Sequence, residues 1–135
     1  MANGQVITTD GKKIIIDRAF NASPTRTTIS QFKVGTGTTT PALADTDLEI
    51  AVSIDGDNFK DLVTGYPTID FNNLQVTSRA ILLSTEANGN NLTEWGLVNS
   101  DGTPLLFSRA VFTLIAKTSS IEIAFIEKDI VNWWF

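Results

Sequence analysis

The 135-residue chain has neither cysteine nor histidine. An internal disulfide is therefore excluded, and the usual neutral-pH proton shuttle and the commonest metal ligand are missing. A net charge of −5, with only ten scattered Lys and Arg residues, argues against a nucleic-acid backbone as the partner.

This length suits one domain, residues 1–135, with a real apolar core. No segment reaches the roughly 20 apolar residues a membrane helix requires. Met1 to Gln5 lacks the basic and apolar regions of a secretory signal. The expectation is a soluble protein made in the cytoplasm, without membrane insertion.

Thr8-Thr9-Asp10-Gly11 precedes a run with Ile14, Ile15, Ile16, Ala19 and Phe20. Thr9 or Asp10 suits a helix cap, and Ile15–Ala19 and Ile16–Phe20 fall at helical spacing. Three consecutive isoleucines also suit a strand; the caps favour a short helix, ended by Asn21-Ala22-Ser23-Pro24. Ile29 to Val34 reads as a strand entering Gly35-Thr36-Gly37-Thr38-Thr39-Thr40-Pro41. That segment lacks the Gly-Lys-Ser/Thr ending of a phosphate loop, so it reads as a turn or an extended surface loop. Residues 42–48 continue as loop or one helical turn, with Asp45 or Thr46 as caps.

Asp55-Gly56-Asp57-Asn58 and Thr64-Gly65-Tyr66-Pro67 mark turns around short strands. Phe71 to Ser84 reads as one long strand or two joined by a bulge. Asn88-Gly89-Asn90-Asn91 turns the chain into a strand from Leu92 to Val98. Asp101-Gly102 then stands between two apolar runs, a strong signal for an antiparallel hairpin. Leu105 to Ala116 is strand-like. Ile121, Ile123 and Phe125 alternate with polar or small residues, so this last pair reads as a second hairpin with one solvated face. The chain closes on an aromatic tail over residues 129–135, holding two of the three tryptophans. Antiparallel strands separated by Gly, Asn and Asp turns predict a mainly β, antiparallel β-sandwich-like domain with one short N-terminal helix.

Chemistry-bearing groups are few. Asp55, Asp57, Asn58 and Asp61 crowd oxygen ligands into a turn, as calcium sites do. Their register fails the calcium loop of an EF-hand, because Lys60 and Tyr66 stand where glycine and glutamate belong, and an ordinary acidic turn is the simpler reading. Glu86 and Glu94 flank the Asn-rich turn; facing carboxylates can hydrolyse glycosides, whereas a charge pair of Glu94 with Arg79 or Arg109 is the plain alternative. Ser84, Ser100 and Ser108 cannot form the usual triad without histidine. No catalytic, metal or cofactor residue is assigned, and an enzyme is not expected. Trp133, Trp134 and Phe135 either complete the core or anchor a partner.

Phe32-Lys33-Val34-Gly35-Thr36-Gly37-Thr38-Thr39-Thr40-Pro41, followed by Asp45-Thr46-Asp47-Leu48-Glu49, resembles tail-fibre and baseplate-associated structural proteins of tailed bacteriophages. Arg79 to Leu82, Glu86 to Leu97, Asn99 to Leu105 and Phe107 to Ala110 extend the likeness across roughly positions 10 to 126. The resemblance implies a virion component near the tail tip: an adaptor, collar, baseplate or fibre-attachment subunit. Its partners would be other tail or baseplate proteins and copies of itself, and no catalytic residue carries over. Gly35, Thr36, Gly37 and Thr38, with Trp133, Trp134 and Phe135, are the expected interface residues. The competing expectation is a module binding a host-surface glycan or other receptor through Tyr66 and Trp95.

Overall fold

The computed structural model describes residues 4–131. Among them the elements run β1 (Gln5–Ile7), α1 (Thr9–Phe20), β2 (Ile29–Gly35), β3 (Lys60–Asp61), β4 (Thr68–Asp70), β5 (Gln75–Leu82), β6 (Asn91–Asn99), β7 (Leu106–Ala116) and β8 (Ile123–Ile130). They make a five-stranded sheet, ordered β1-β7-β6-β2-β3, and a three-stranded sheet, ordered β4-β5-β8. Every pairing between these strands is antiparallel. The expected mainly β, sandwich-like architecture with one short helix is what the chain forms.

Side-chain alternation explains the layering. Phe32 and Val34 of β2, Trp95 and Leu97 of β6, Ala80 and Leu82 of β5, and Phe125 of β8 share one buried cluster between the sheets. Intervening residues of the large sheet point the other way, where Leu48, Val98 and Leu106 form a second, smaller cluster. Nearly all of β6 is buried as a result. Its outer face is covered by the irregular segment 36–51, hereafter the strap, which the sequence did not suggest would pack on a sheet.

The expected helix forms but begins earlier than the Thr9 or Asp10 cap implies: its cap is Thr8, whose hydroxyl accepts from the Gly11 amide at 2.9 Å and donates to Leu106 O at 2.6 Å. Gly11 lies directly against the Phe107 backbone, and a Cβ there would collide with the Phe107 carbonyl. Glycine is normally poor in a helix, so this one marks the closest approach of α1 to β7. The third-turn carboxylate Asp17 is buried and receives the Thr25 and Arg26 amides at 3.1 and 2.9 Å. It thereby fastens the residues that follow the helix. Those amides, Arg26 first and the Asn21 side chain next, hold the Asp17 carboxyl below its usual range.

The topology adds one strand and revises three sequence expectations. Strand β1 had no reading and fills the open edge of β7. Asp101-Gly102 does not make a tight hairpin turn: β6 and β7 pair, but residues 100–105 connect them, and Gly102 lacks the left-handed backbone seen at Gly56, Gly65 and Gly89. Asp101 instead accepts from the Thr27 amide and hydroxyl, at 3.0 and 2.8 Å, tying down the loop ahead of β2. Strands β7 and β8 are no hairpin either, since β8 pairs with β5 in the other sheet and residues 117–122 cross between layers. Finally, Asp129 and Ile130 belong to β8 and not to a separate tail.

Candidate functional site

The densest polar assembly lies where the strap crosses β6 and β7. Glu94 projects from the outer face of β6 and is fully buried. One carboxylate oxygen accepts from the Glu49 amide and from Arg109 Nε, both at 2.9 Å. The other accepts from the Gly37 and Ile50 amides, both at 2.8 Å. Four donors fill the approximately four acceptor positions of a carboxylate. Arg109, also buried, donates from Nη1 to Asp45 at 3.2 Å and from Nη2 to the Thr39 hydroxyl at 3.3 Å. Its charge pair with Glu94 is the one expected for Arg109; Arg79 takes no part.

Further contacts hold the strap at each end. Lys33 reaches Asp47 at 2.9 Å, the Thr93 hydroxyl donates to Gly37 O at 2.8 Å, and Glu49 accepts the Thr38 and Thr39 amides. The Thr38 amide, followed by that of Thr39, lowers the Glu49 carboxyl below its usual value.

This arrangement redefines the Gly/Thr segment. Gly35 and Gly37 are buried against Glu94, where a Cβ would meet its carboxylate. They are not free loop positions as expected. Thr36 is half-buried, and only Thr38, Thr39 and Thr40 present an exposed tip. The segment's amides are already aimed at anions, but the anions are the chain's own carboxylates.

The other sequence candidates are dispersed. Trp95 sits on the opposite face of β6, 6% exposed, stacked on Phe125 with ring centroids 5.0 Å apart. It is a core residue rather than a surface platform. Tyr66 is half-buried and packs on the same core from the turn before β4. Glu86 accepts from Lys60 Nζ and the Leu83 amide, both at 2.7 Å, in a network separate from that of Glu94. Asp55, Asp57 and Asn58 are exposed, while Asp61 accepts from Gln31. Among the described residues no group of three or more ligating side chains is positioned to hold a metal ion. Trp133, Trp134 and Phe135 lie outside the described residues. Among the described residues no helix is long and apolar enough to cross a membrane.

A second acidic group lies between the sheets and had no sequence signal beyond alternation along β8. Glu127 and Asp129 share the inward face of that strand. Glu127 is buried, with one oxygen accepting from Ser108 Oγ of β7 at 2.9 Å. Its other oxygen has no hydrogen-bond donor among the described residues. Ser108 from β7, Gln5 from β1 and Ser78 from β5 surround the pair, and no Lys or Arg forms an ion pair with either carboxyl among the described residues. Burial first, and then the neighbouring Asp129, push the Glu127 carboxyl well above its ordinary range. Burial also raises Asp129. Protonated Glu127 can then donate to Asp129.

Both groups bind a proton more tightly in the folded than in the unfolded chain. Their contribution is therefore complete at and below the ordinary carboxylate range and is lost as pH rises through the raised values. Asp17, Asp101 and Glu49 are lowered and act oppositely, losing their contribution as pH falls. Glu127→Gln keeps a donor toward Asp129 without an ionisable proton. It should flatten the decline of Tm as pH rises above the ordinary carboxylate range and leave the acid limb unchanged. At pH 8 the variant should melt a few degrees higher, at the about 3–5 °C per kcal/mol expected for this size. Calorimetry across pH checks this, and an unchanged alkaline slope would refute it.

Comparisons with protein-family models, curated proteins and solved structures gave no match to this chain.

Proposed function

We propose that the chain is a structural subunit of a phage tail (an adaptor, collar, baseplate or fibre-attachment component) that works through contacts with neighbouring subunits in the virion. The observation that carries the assembly part of this reading is the apolar end of the small sheet. Ile69 and Phe71, 62% and 81% exposed, stand there with Leu74, Ile130 and Val131, all exposed. Register places them at one end of the sheet but on both of its faces: Ile69 is on the face of Val76 and Asp129, whereas Asp70 and Ile130 both flank Gln75 on the other, and the Val131 amide donates to Leu74 O at 2.9 Å. The chain continues from this end into Trp133-Trp134-Phe135.

Clusters of large exposed apolar side chains are unfavourable in water and mark interaction surfaces. Aromatic residues among them give large contact area with little side-chain freedom to lose. The strap supports the same reading from the other side of the molecule: it closes the outer face of the large sheet, leaving a stiff body to be joined at its ends. Repeated copies around a symmetric tail would turn modest contacts into durable attachment. The phage assignment itself rests on the resemblance of the quoted residue blocks.

The double variant Ile69→Thr, Phe71→Ser tests the contact surface. Both positions are exposed, so stability should change by no more than about 0.5 kcal/mol. Sedimentation velocity should show self-association, or binding to neighbouring tail proteins, weakened about tenfold or more, as loss of an aromatic anchor predicts. Association equal to that of the parent would reject this surface.

A further inference from the structure

Beside the Glu127–Asp129 pair lies a cavity of about 210 Å³. Ile7, Ile15 and Leu97 line it from the β1, α1 and β6 side, and Val76 and Ile130 from the small sheet. Asp129 is the acidic group on a wall that is apolar apart from it and Ser78. We propose that this inter-sheet cavity binds a small apolar primary amine, its hydrocarbon body between the two sheets and its ammonium group on Asp129.

Three independent features lead to this ligand class. The first is size. Dry apolar cavities on the order of 150 Å³ accept benzene, so this one holds a single ring or a short branched chain with a polar head, but not an oligosaccharide or a peptide. The second is shape and composition. Apolar walls from both sheets surround one polar pole, the arrangement by which small-molecule sites combine burial with orientation.

The third is uncompensated charge. Two buried or half-buried carboxyls share the inward face of β8, and of the two it is Asp129 that stands on the cavity wall. Buried anions ordinarily have a cation or several donors beside them; Glu94 shows what this chain does when it supplies them itself. Here the two carboxyls can share a proton, but among the described residues no Lys or Arg forms an ion pair with either. An ammonium group brings three donors and the charge together. An anion would be repelled, and a neutral alcohol would leave the charge unmatched. This site does not depend on the proposed role in assembly.

The full chain can be titrated with 2-phenylethylamine, 2-phenylethanol and phenylacetate, three probes of similar size and different charge, following backbone amide NMR shifts. The amine should give saturable shifts at Ile7, Val76, Leu97 and Ile130. It should bind at least about tenfold more tightly than the alcohol, the difference a charge-assisted hydrogen bond supplies. Phenylacetate should not saturate. In Asp129→Asn the amine should lose its advantage while the alcohol still binds. Because the amine favours the ionised pair, its affinity in the unmodified chain should rise as pH is raised above the ordinary carboxylate range, with that of the alcohol constant. This second readout stands if Asp129→Asn fails to fold. Equal affinities for the three probes, shifts confined to other residues, or no saturation by the amine would overturn the proposal.

Discussion

Replacing Glu94 with alanine should cost about 3–5 kcal/mol of folding stability, the usual consequence of removing one member of a buried ion pair. That is a third or more of the about 5–15 kcal/mol by which a domain is ordinarily stable. The loss has two parts. Arg109, 1% exposed, keeps its charge but retains only Asp45 and Thr39 as partners. The Gly37, Glu49 and Ile50 amides lose their acceptor, and each buried donor left unpaired costs about 1–3 kcal/mol. Glutamine should not rescue the site, because its amide nitrogen would turn hydrogens toward donors. Nor should the apolar pair Glu94→Leu, Arg109→Met. Such replacement can be neutral when an ion pair serves only itself, but here the carboxylate also organises the strap. Urea denaturation of the single and double variants gives the coupling. Near-parent stability of Glu94→Leu, Arg109→Met would show that the strap is held by other means.

Trp95→Ala should be of similar size, about 3–5 kcal/mol for truncating a large buried aromatic. The ring contacts Phe125 across the two sheets, and Phe125 in turn packs on Phe112 with centroids 5.6 Å apart. Removing it opens the sandwich where its layers meet. This separates two functions by measurement. A surface platform for a glycan would lose binding on truncation while melting as before; a core residue lowers Tm whatever the protein binds. Unchanged thermal unfolding would return Trp95 to the list of ligand contacts. A substantial loss would leave the glycan reading resting on Tyr66.

What the sequence disclosed follows the range of the forces involved. Strands β2, β6 and β7 and helix α1 were legible because alternation, capping and i,i+4 spacing act within a few residues. The turns at Gly56, Gly65 and Gly89 were legible for the same reason. The allocation of β7 and β8 to different sheets was not, because both have strand-like patterns and only distant partners decide between them. Register with β5 and β6 makes that choice. The strap was read as open loop because Gly, Thr and Asp give no apolar period; its order comes from one carboxylate contributed 44 to 57 residues away. A clue was nevertheless present. Glu94 and Arg109 are single charges set inside apolar strands, and a charge so placed needs a partner. Pairing with Arg109 is one of two the sequence allows, the other being Arg79, and nothing in it points to the three amides that Glu94 also collects. Asp101-Gly102 misled for a related reason, since the Asp101 side chain is taken up by Thr27 and its neighbours span a longer connection.

The central claim is that this body is joined to others at the exposed end of its small sheet. Imaging the native assembly at a resolution that traces side chains tests it most directly. A neighbouring subunit covering Ile69, Phe71 and Leu74, with the strap still closed over Glu94, is the predicted result. A particle in which that end faces solvent while neighbours contact another surface, or in which the chain stands alone, would contradict it.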